Sequence, residues 1–502
     1  MGVSVASGTN AVITAFASTS KAETIAATNA VDNTVGDSKG GLVFEVTTAD
    51  QSLTLGGTLD IAAIDGGATH NAYSILIDSA TTENLSITAT SAQSILVKAL
   101  PTTTKDGGKA YVFANNSAKT ATFNKVNLVA NASAISNKGT FGIYSGIDGA
   151  KYDFGSDTAT SAKTVFASIT NSAEATQNTA GEKATAIFIA NNASFGGKLE
   201  FAAFAGQAGN ATTGSNTTTG ATGGNAYGIT ADATGKTLSL DNATITFAGI
   251  TGGKGEKSKG SANTDLAGNG GDAAGIYLDG TDNHSLTISG NGSLIFTSIA
   301  GGAAGDINTD GGAGQVGTAY VINNAGTGKL TLFNGAKIIA GSSTGAPTAT
   351  YGIYSNLAGA NYVFGKTTGS TEVNGVSQGM ILNANATLSG KLSVVNTPDV
   401  GTTEDSNVGQ ENATGLVITG STEAGHNLKT LDLSVSSTNG NVTAVALQGS
   451  SNDTAKNIKI DRITLNANSL TANNAEANKA IALSNTGKTN FTGVVALADD
   501  AF

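Results

Sequence analysis

Short runs in which apolar residues alternate with small or polar ones recur along this chain in one fixed order. In residues 226–253, AYGITADATGKTLSLDNATITFAGITGG, Tyr227 and Ile229 alternate with Gly228, Leu238 and Leu240 flank Ser239, and Ile245 and Phe247 flank Thr246. Residues 274–302 (AGIYLDGTDNHSLTISGNGSLIFTSIAGG) and 319–341 (AYVINNAGTGKLTLFNGAKIIAG) repeat the phrase. Such alternation predicts half-buried strands, because successive side chains point to opposite faces. The second and third runs are separated by Asp241-Asn242, Gly290-Asn291-Gly292 and Asn334-Gly335. These residues tolerate the left-handed backbone of a tight corner.

Three short strands, two corners and a variable loop cannot close a core alone, so neighbouring units must stack over a shared apolar column. Unit openings fall at Ala72-Tyr73, Ala110-Tyr111, 141–144, Ala186-Ile187, Ala226, Ala274, Ala319, 351–354, Met380-Ile381, 416–418, 445–447 and 481–483. That is about twelve units of roughly 30 to 48 residues, a spacing typical of solenoids and arrays. The expected fold is therefore all-β, a parallel β-helix with long Gly/Asn/Thr-rich loops. At ~4.8 Å per unit its core would be roughly 60 Å long.

Residues 1–40 are weakly patterned and read as an atypical N-terminal cap or first coil, with residues 41–502 as one continuous β-helix. A longer repeat overlies the unit: residues 141–155 (FGIYSGIDGAKYDFG) return as residues 351–365 (YGIYSNLAGANYVFG). A block of about residues 110–205 thus has a second copy at about residues 319–396. The loops 206–224, 252–271 and 301–317 carry few apolar anchors, and are expected to leave one corner as a single mobile surface.

Composition narrows the function classes. Charged residues are 13% of the chain, against roughly 25% in ordinary domains. The 39% hydrophobic content, placed in regular runs, is enough to fold. A net charge of −11 with Arg462 as the one arginine leaves no basic face for nucleic acid or an anionic membrane. The lack of cysteine excludes disulfides and thiolate metal sites, and fits an exported bacterial protein. No apolar run reaches the ~18 residues of a membrane helix, so no membrane span is expected. Met1 lacks a basic n-region after it and reads as a start placed before a mature fragment, with Phe502 as a truncation point.

Few residues suggest chemistry. In DINTDGG, Asp306, Asn308 and Asp310 followed by Gly311 match the first half of a calcium loop, although Gly317 stands where its bidentate Glu belongs. Calcium is the one candidate cofactor. Asp279, Asp282 and His284 could do acid–base work, but Asp, Gly and Asn are turn residues and the cluster reads as a solvated turn. His70 and His426, beside Gly and Asn, are read the same way. Asp461 and Arg462 lie in a strand-like run, and no nucleophile motif of the GDSGS type occurs. An enzyme is not expected. Outward Thr244 and Thr246 would instead form polar ladders through which rods zip side by side, each hydrogen bond adding about 0.5–1.5 kcal/mol net.

The repeated AYGI and YGIY openings, the LTL and ATITF strands, the Asn-Gly corners, the absence of Cys and the acidic balance resemble the right-handed β-helix passenger domains of bacterial autotransporters. The resemblance implies a right-handed helix and display on the bacterial surface. It also implies adhesion, self-association or biofilm formation, with a second copy or a host-cell or glycan receptor as partner. A surface-layer or filament subunit is the alternative, and a glycan-active enzyme on the same fold a weaker one.

Overall fold

The computed structural model describes residues 23–497, except 26–38, 47–50, 56–58, 62–70, 78–83, 98–108, 131–138, 156–163, 168, 171–180, 182, 203, 207, 209–219, 232–234, 258–265, 280–283, 307–313, 326–328, 333–336, 341–349, 357, 366–370, 375–377, 397–411, 421–424, 438–440, 450, 452–454, 466–469 and 473–479. Among the described residues every regular element is a strand, and no barrel closes.

The strands form long parallel sheets. The first contains thirteen strands stacked in chain order, from Lys39–Val46 to Ala480–Thr486. All the unit openings read from the sequence fall within it. After each of the first eleven visits the chain passes to a second sheet of eighteen strands, among them Ala193–Phe201, Lys236–Phe247 and Ala386–Asn396, and after the last two it passes to a two-stranded sheet of Lys456–Leu465 and Thr489–Leu497. A third sheet of two-residue strands, Ile169–Thr170, Phe204–Ala205, Ile250–Thr251 and Ile299–Ala300, serves the central passes.

In-register stacking converts the sequence pattern into columns. Ile75, Phe113, Ile143, Ile187, Ile229, Ile276, Ile322, Ile353, Met380, Leu416 and Val445 lie one above another in the first sheet. Each is fully buried. From the second sheet, Phe201, Phe247 and Phe296 face them, with ring centroids 5.1 and 4.8 Å apart and planes within 13°. Each such side chain contributes about 1.5–3 kcal/mol by leaving water. The interior is thus one continuous apolar cluster rather than a series of separate cores.

The YGI phrase has a structure that simple alternation does not predict. Tyr227 and Ile229 do not share a face: Ile229 is in the core, whereas Tyr227 packs in a separate cluster with Ala274 and Tyr320. Gly228 and Ile229 both face the interior: a Cβ on Gly228 would lie 2.5 Å from the Gly275 carbonyl oxygen and 3.1 Å from both Ile250 Cδ1 and Phe296 Cε1.

Outside the first sheet the displaced aromatics stack on one another. Tyr227 and Tyr277 lie 4.1 Å apart with planes 3° from parallel, and Tyr144 and Phe188 are 5.4 Å apart at 11°. Their faces are occupied by their neighbours, which leaves edges toward solvent.

The corner of the second sheet uses left-handed backbone in pass after pass. Gly155, Gly197, Gly290, Gly365 and Gly390 adopt positive φ there, and Asn242 takes the same role at φ 55°. Asn242 is the one non-glycine in this conformation among the described residues.

Candidate functional site

The third sheet feeds pairs of glycine-rich arms, and these are the most distinctive surface of the chain. One pass leaves along 252–257 and returns along 266–271; the next leaves along 301–306 and returns along 314–317. The pass before them returns along 220–224.

Backbone hydrogen bonds between the arms recur every third residue. Gly220, Gly223 and Ala226 donate their N–H groups to the carbonyls of Leu266, Asn269 and Asp272 at 2.8, 2.8 and 2.9 Å. Gly252 and Gly255 donate to Ala300 and Ala303 at 2.9 and 2.8 Å. Between outgoing and returning arms, Gly268 and Gly271 donate to Glu256 and Gly253, and Gly302 and Gly305 donate to Gly271 and Gly268, all at 2.8 Å. A period of three is that of the polyproline II helix, which has no internal hydrogen bonds and must find partners outside itself.

Glycine is required because the arms approach so closely. A Cβ on Gly252, Gly270 or Gly301 would strike the carbonyl oxygen of Gly271, Gly302 or Gly317. The residues between the glycines face outward: Thr222, Lys254, Lys257, Leu266, Asn269, Ala303 and Asp306 are all exposed. Within the loops expected to form one mobile surface, the described arms form a hydrogen-bonded lattice, and segments 209–219, 258–265 and 307–313 between them lie outside the described residues.

Side chains tie the returning arms to the first sheet. Asn225 Oδ1 accepts from the Asp272 N–H, and Asp272 Oδ1 accepts from the Thr318 N–H, both at 2.8 Å. Asn269 Oδ1 accepts from the Gln315 N–H at 2.8 Å. Each amide or carboxylate thereby caps the pass that follows it.

The calcium-like residues divide. Asp306 is exposed and its carboxylate accepts from Lys254 Nζ at 2.8 Å. The hydrogen bond and charge of Lys254 lower the Asp306 pKa, and Asp306 in turn raises that of Lys254. Asn308 and Asp310 lie outside the described residues. Among those described, no three His, Asp or Glu side chains group as metal ligands.

The histidines correct the solvated-turn reading. His284 is buried, because Ser285 docks its corner on the preceding pass, accepting from the Gly235 N–H through Oγ at 2.6 Å and from the Lys236 N–H through its carbonyl at 3.1 Å. His426 is also buried, between Ala386 of one pass and Lys459 of another. His70 and Asp282 lie outside the described residues, and Asp279 is half-buried. Asp461 is exposed and pairs with Lys429 at 3.0 Å, beside exposed Arg462.

No family model, curated protein or solved structure matches this chain. No helix among the described residues is long and apolar enough to cross a membrane.

Proposed function

We propose that this chain is the displayed rod of a bacterial surface adhesin of the autotransporter passenger type, folded as a right-handed parallel β-helix. The observation that carries the reading is the arm lattice, which holds the exposed residues of successive passes in register on one flank of the stack. The inner columns make the rod, and the arms spread a nearly neutral polar surface over several passes. That is a geometry for many weak, repeated contacts with an extended partner, and the partner favoured by the mixed hydroxyl and aliphatic columns of the second sheet is a second copy of the rod.

Thr244 aligns with Ser293, and Thr246 with Ile295, on the outer side of the second sheet. Short hydroxyl side chains permit close side-by-side approach, with each hydrogen bond contributing about 0.5–1.5 kcal/mol net. Only many in parallel give lasting association.

Sedimentation velocity over a wide concentration range tests this. The expected result is an elongated species that forms laterally associated oligomers as concentration rises, and that returns to monomer when Thr244 and Thr246 are replaced by Lys. A monomer at every concentration, or oligomers indifferent to Thr244→Lys/Thr246→Lys, would overturn the self-association reading.

A further inference from the structure

His426 occupies a position that a second proton cannot share. It sits at the start of strand Asn427–Ser437 with no exposed surface. Its Nε2 lies 2.8 Å from the Gly420 carbonyl oxygen, and its Nδ1 accepts from the Ala386 N–H at 3.3 Å. Both partners are backbone, so the tautomer is fixed: Nε2 carries the proton and Nδ1 presents its lone pair. The backbone of His426 is held as well, its N–H donating to the Lys459 carbonyl at 2.9 Å and its carbonyl accepting from Asp461 at 2.8 Å. One ring and one peptide therefore join three successive passes.

We propose that His426 is an acid-sensitive latch, and that its protonation breaks the ring's contact with the Ala386 N–H and releases the Ala386 edge from the start of strand Asn427–Ser437. A proton on Nδ1 would face the Ala386 N–H, replacing a hydrogen bond with two opposed donors in a site closed to water. Of the charged groups at this corner, Lys459 lies against Gly425, and Asp461 is paired outward with Lys429. The pass before it presents Asn385 and Ala386 at this level, and Lys391 farther along is paired with Asp432. Among the described residues none offsets an imidazolium at the buried ring; Glu423, in the same connection, lies outside them. Burial lowers the His426 pKa from its ordinary value, with the Gly420 carbonyl opposing that shift.

A folded pKa below the unfolded one fixes the direction. Above about pH 6.5 both states are neutral and the latch contributes fully. As pH falls below that value, the opened form takes up a proton that the closed form refuses. Opening then becomes more favourable by up to about tenfold per pH unit until the folded pKa is reached.

Hydrogen exchange between pH 8 and pH 5, corrected for intrinsic rates, reads this directly. The expected result is a selective loss of protection in peptides covering 384–390 and 425–430 below about pH 6.5, with central passes near Ile229 and Ile276 unaffected. His426→Gln, which retains a donor and an acceptor without a titrating group, is expected to abolish that pH dependence. His426→Leu does the same if the Gln variant fails to fold, and His284→Gln leaves it intact. NMR of histidine-labelled protein, with only three histidines in the chain, should show one ring titrating below the ordinary range and disappearing in the His426 variants. Ordinary titration of that ring, or acid-induced loss of protection that persists in His426→Gln and His426→Leu, would overturn the proposal.

Discussion

Asn242 and Asn291 grip each other across adjacent passes: Asn291 Nδ2 donates to Asn242 Oδ1 at 2.6 Å, and the Asn242 N–H donates to Asn291 Oδ1 at 2.8 Å. The pair sits at the corner where the other passes use glycine, so Asn242 serves both as the left-handed residue and as a clamp. Asn242→Gly removes the side-chain half of the clamp but keeps the backbone N–H and the left-handed conformation. Asn242→Ala removes the same half and strains that conformation, and is expected to be less stable than the Gly variant by about 1–2 kcal/mol, the cost of a left-handed alanine. Urea unfolding of the two variants side by side measures that difference.

The arm lattice makes a sharper demand. Gly270→Ala drives a methyl group into the Gly302 carbonyl, whereas Gly249→Ala meets nothing closer than the Ala202 carbonyl oxygen at 3.8 Å. The first is expected to cost at least about 1–3 kcal/mol, with lost exchange protection in 252–257 and 301–306. The second should stay within about 0.5 kcal/mol of the parent. Equal behaviour of the two would mean that the arms do not pack as described.

Two tyrosines place hydroxyl groups inside the core. Tyr152 lies beside Ser145 and Asn115, and Tyr362 beside Ser355 and Asn324, at matching points of the sequence repeat. Burial pushes the Tyr362 pKa up to about 12 from 10.0, despite the opposing contacts with Ser355 and Asn324. The unfolded chain loses this proton near pH 10 and the folded chain retains it. Stability should therefore be complete below about pH 10 and fall as pH rises toward the folded value. Tyr362→Phe is expected to reduce that alkaline decline, leaving the share from the buried Tyr152 and Tyr227, while changing neutral stability by only about 1 kcal/mol. Tyr362→Ala should cost about 3–5 kcal/mol through the cavity it leaves. Ultraviolet titration together with urea unfolding at pH 8 and pH 11 distinguishes them.

Asp306 is already committed to Lys254. Millimolar calcium is expected to leave the unfolding midpoint unchanged in the parent chain, since an ion must first displace the ammonium group. A calcium-dependent rise that disappears in Asp306→Asn would instead establish the loop as a site.

The parallel sheets were legible because their signal is local and repeated. Every opening such as Ala226-Tyr227 or Ala319-Tyr320 lies in one stacked series, and no long-range information was needed to find them. The inward turn at Gly228 was not legible, since alternation alone places Tyr227 and Ile229 together. Only the 2.5 Å approach that a Cβ would make to the Gly275 carbonyl oxygen of the next pass shows why glycine stands there. The hydrogen-bonded order of the arms was not legible for a related reason. Gly, Asn and Thr ordinarily mark mobile loops, and the informative signal was the glycine spacing in Thr251-Gly252-Gly253-Lys254-Gly255, which leaves the third position for an outward residue. His426 was read as solvated because its neighbour Gly425 suggests a turn; its burial depends on Ala386 and Lys459, which are distant in sequence.

Each pass offers its successor the same edge that it received from its predecessor, as the unbroken column from Ile75 to Val445 illustrates. A gene coding for such a stack can gain or lose whole passes by unequal recombination without inventing a new interface. The recurrence of Ser145 and Tyr152 as Ser355 and Tyr362 has the form such an event would leave. Length is then a quantity that such a gene can change in whole passes, while the arms stay with the central passes that carry them.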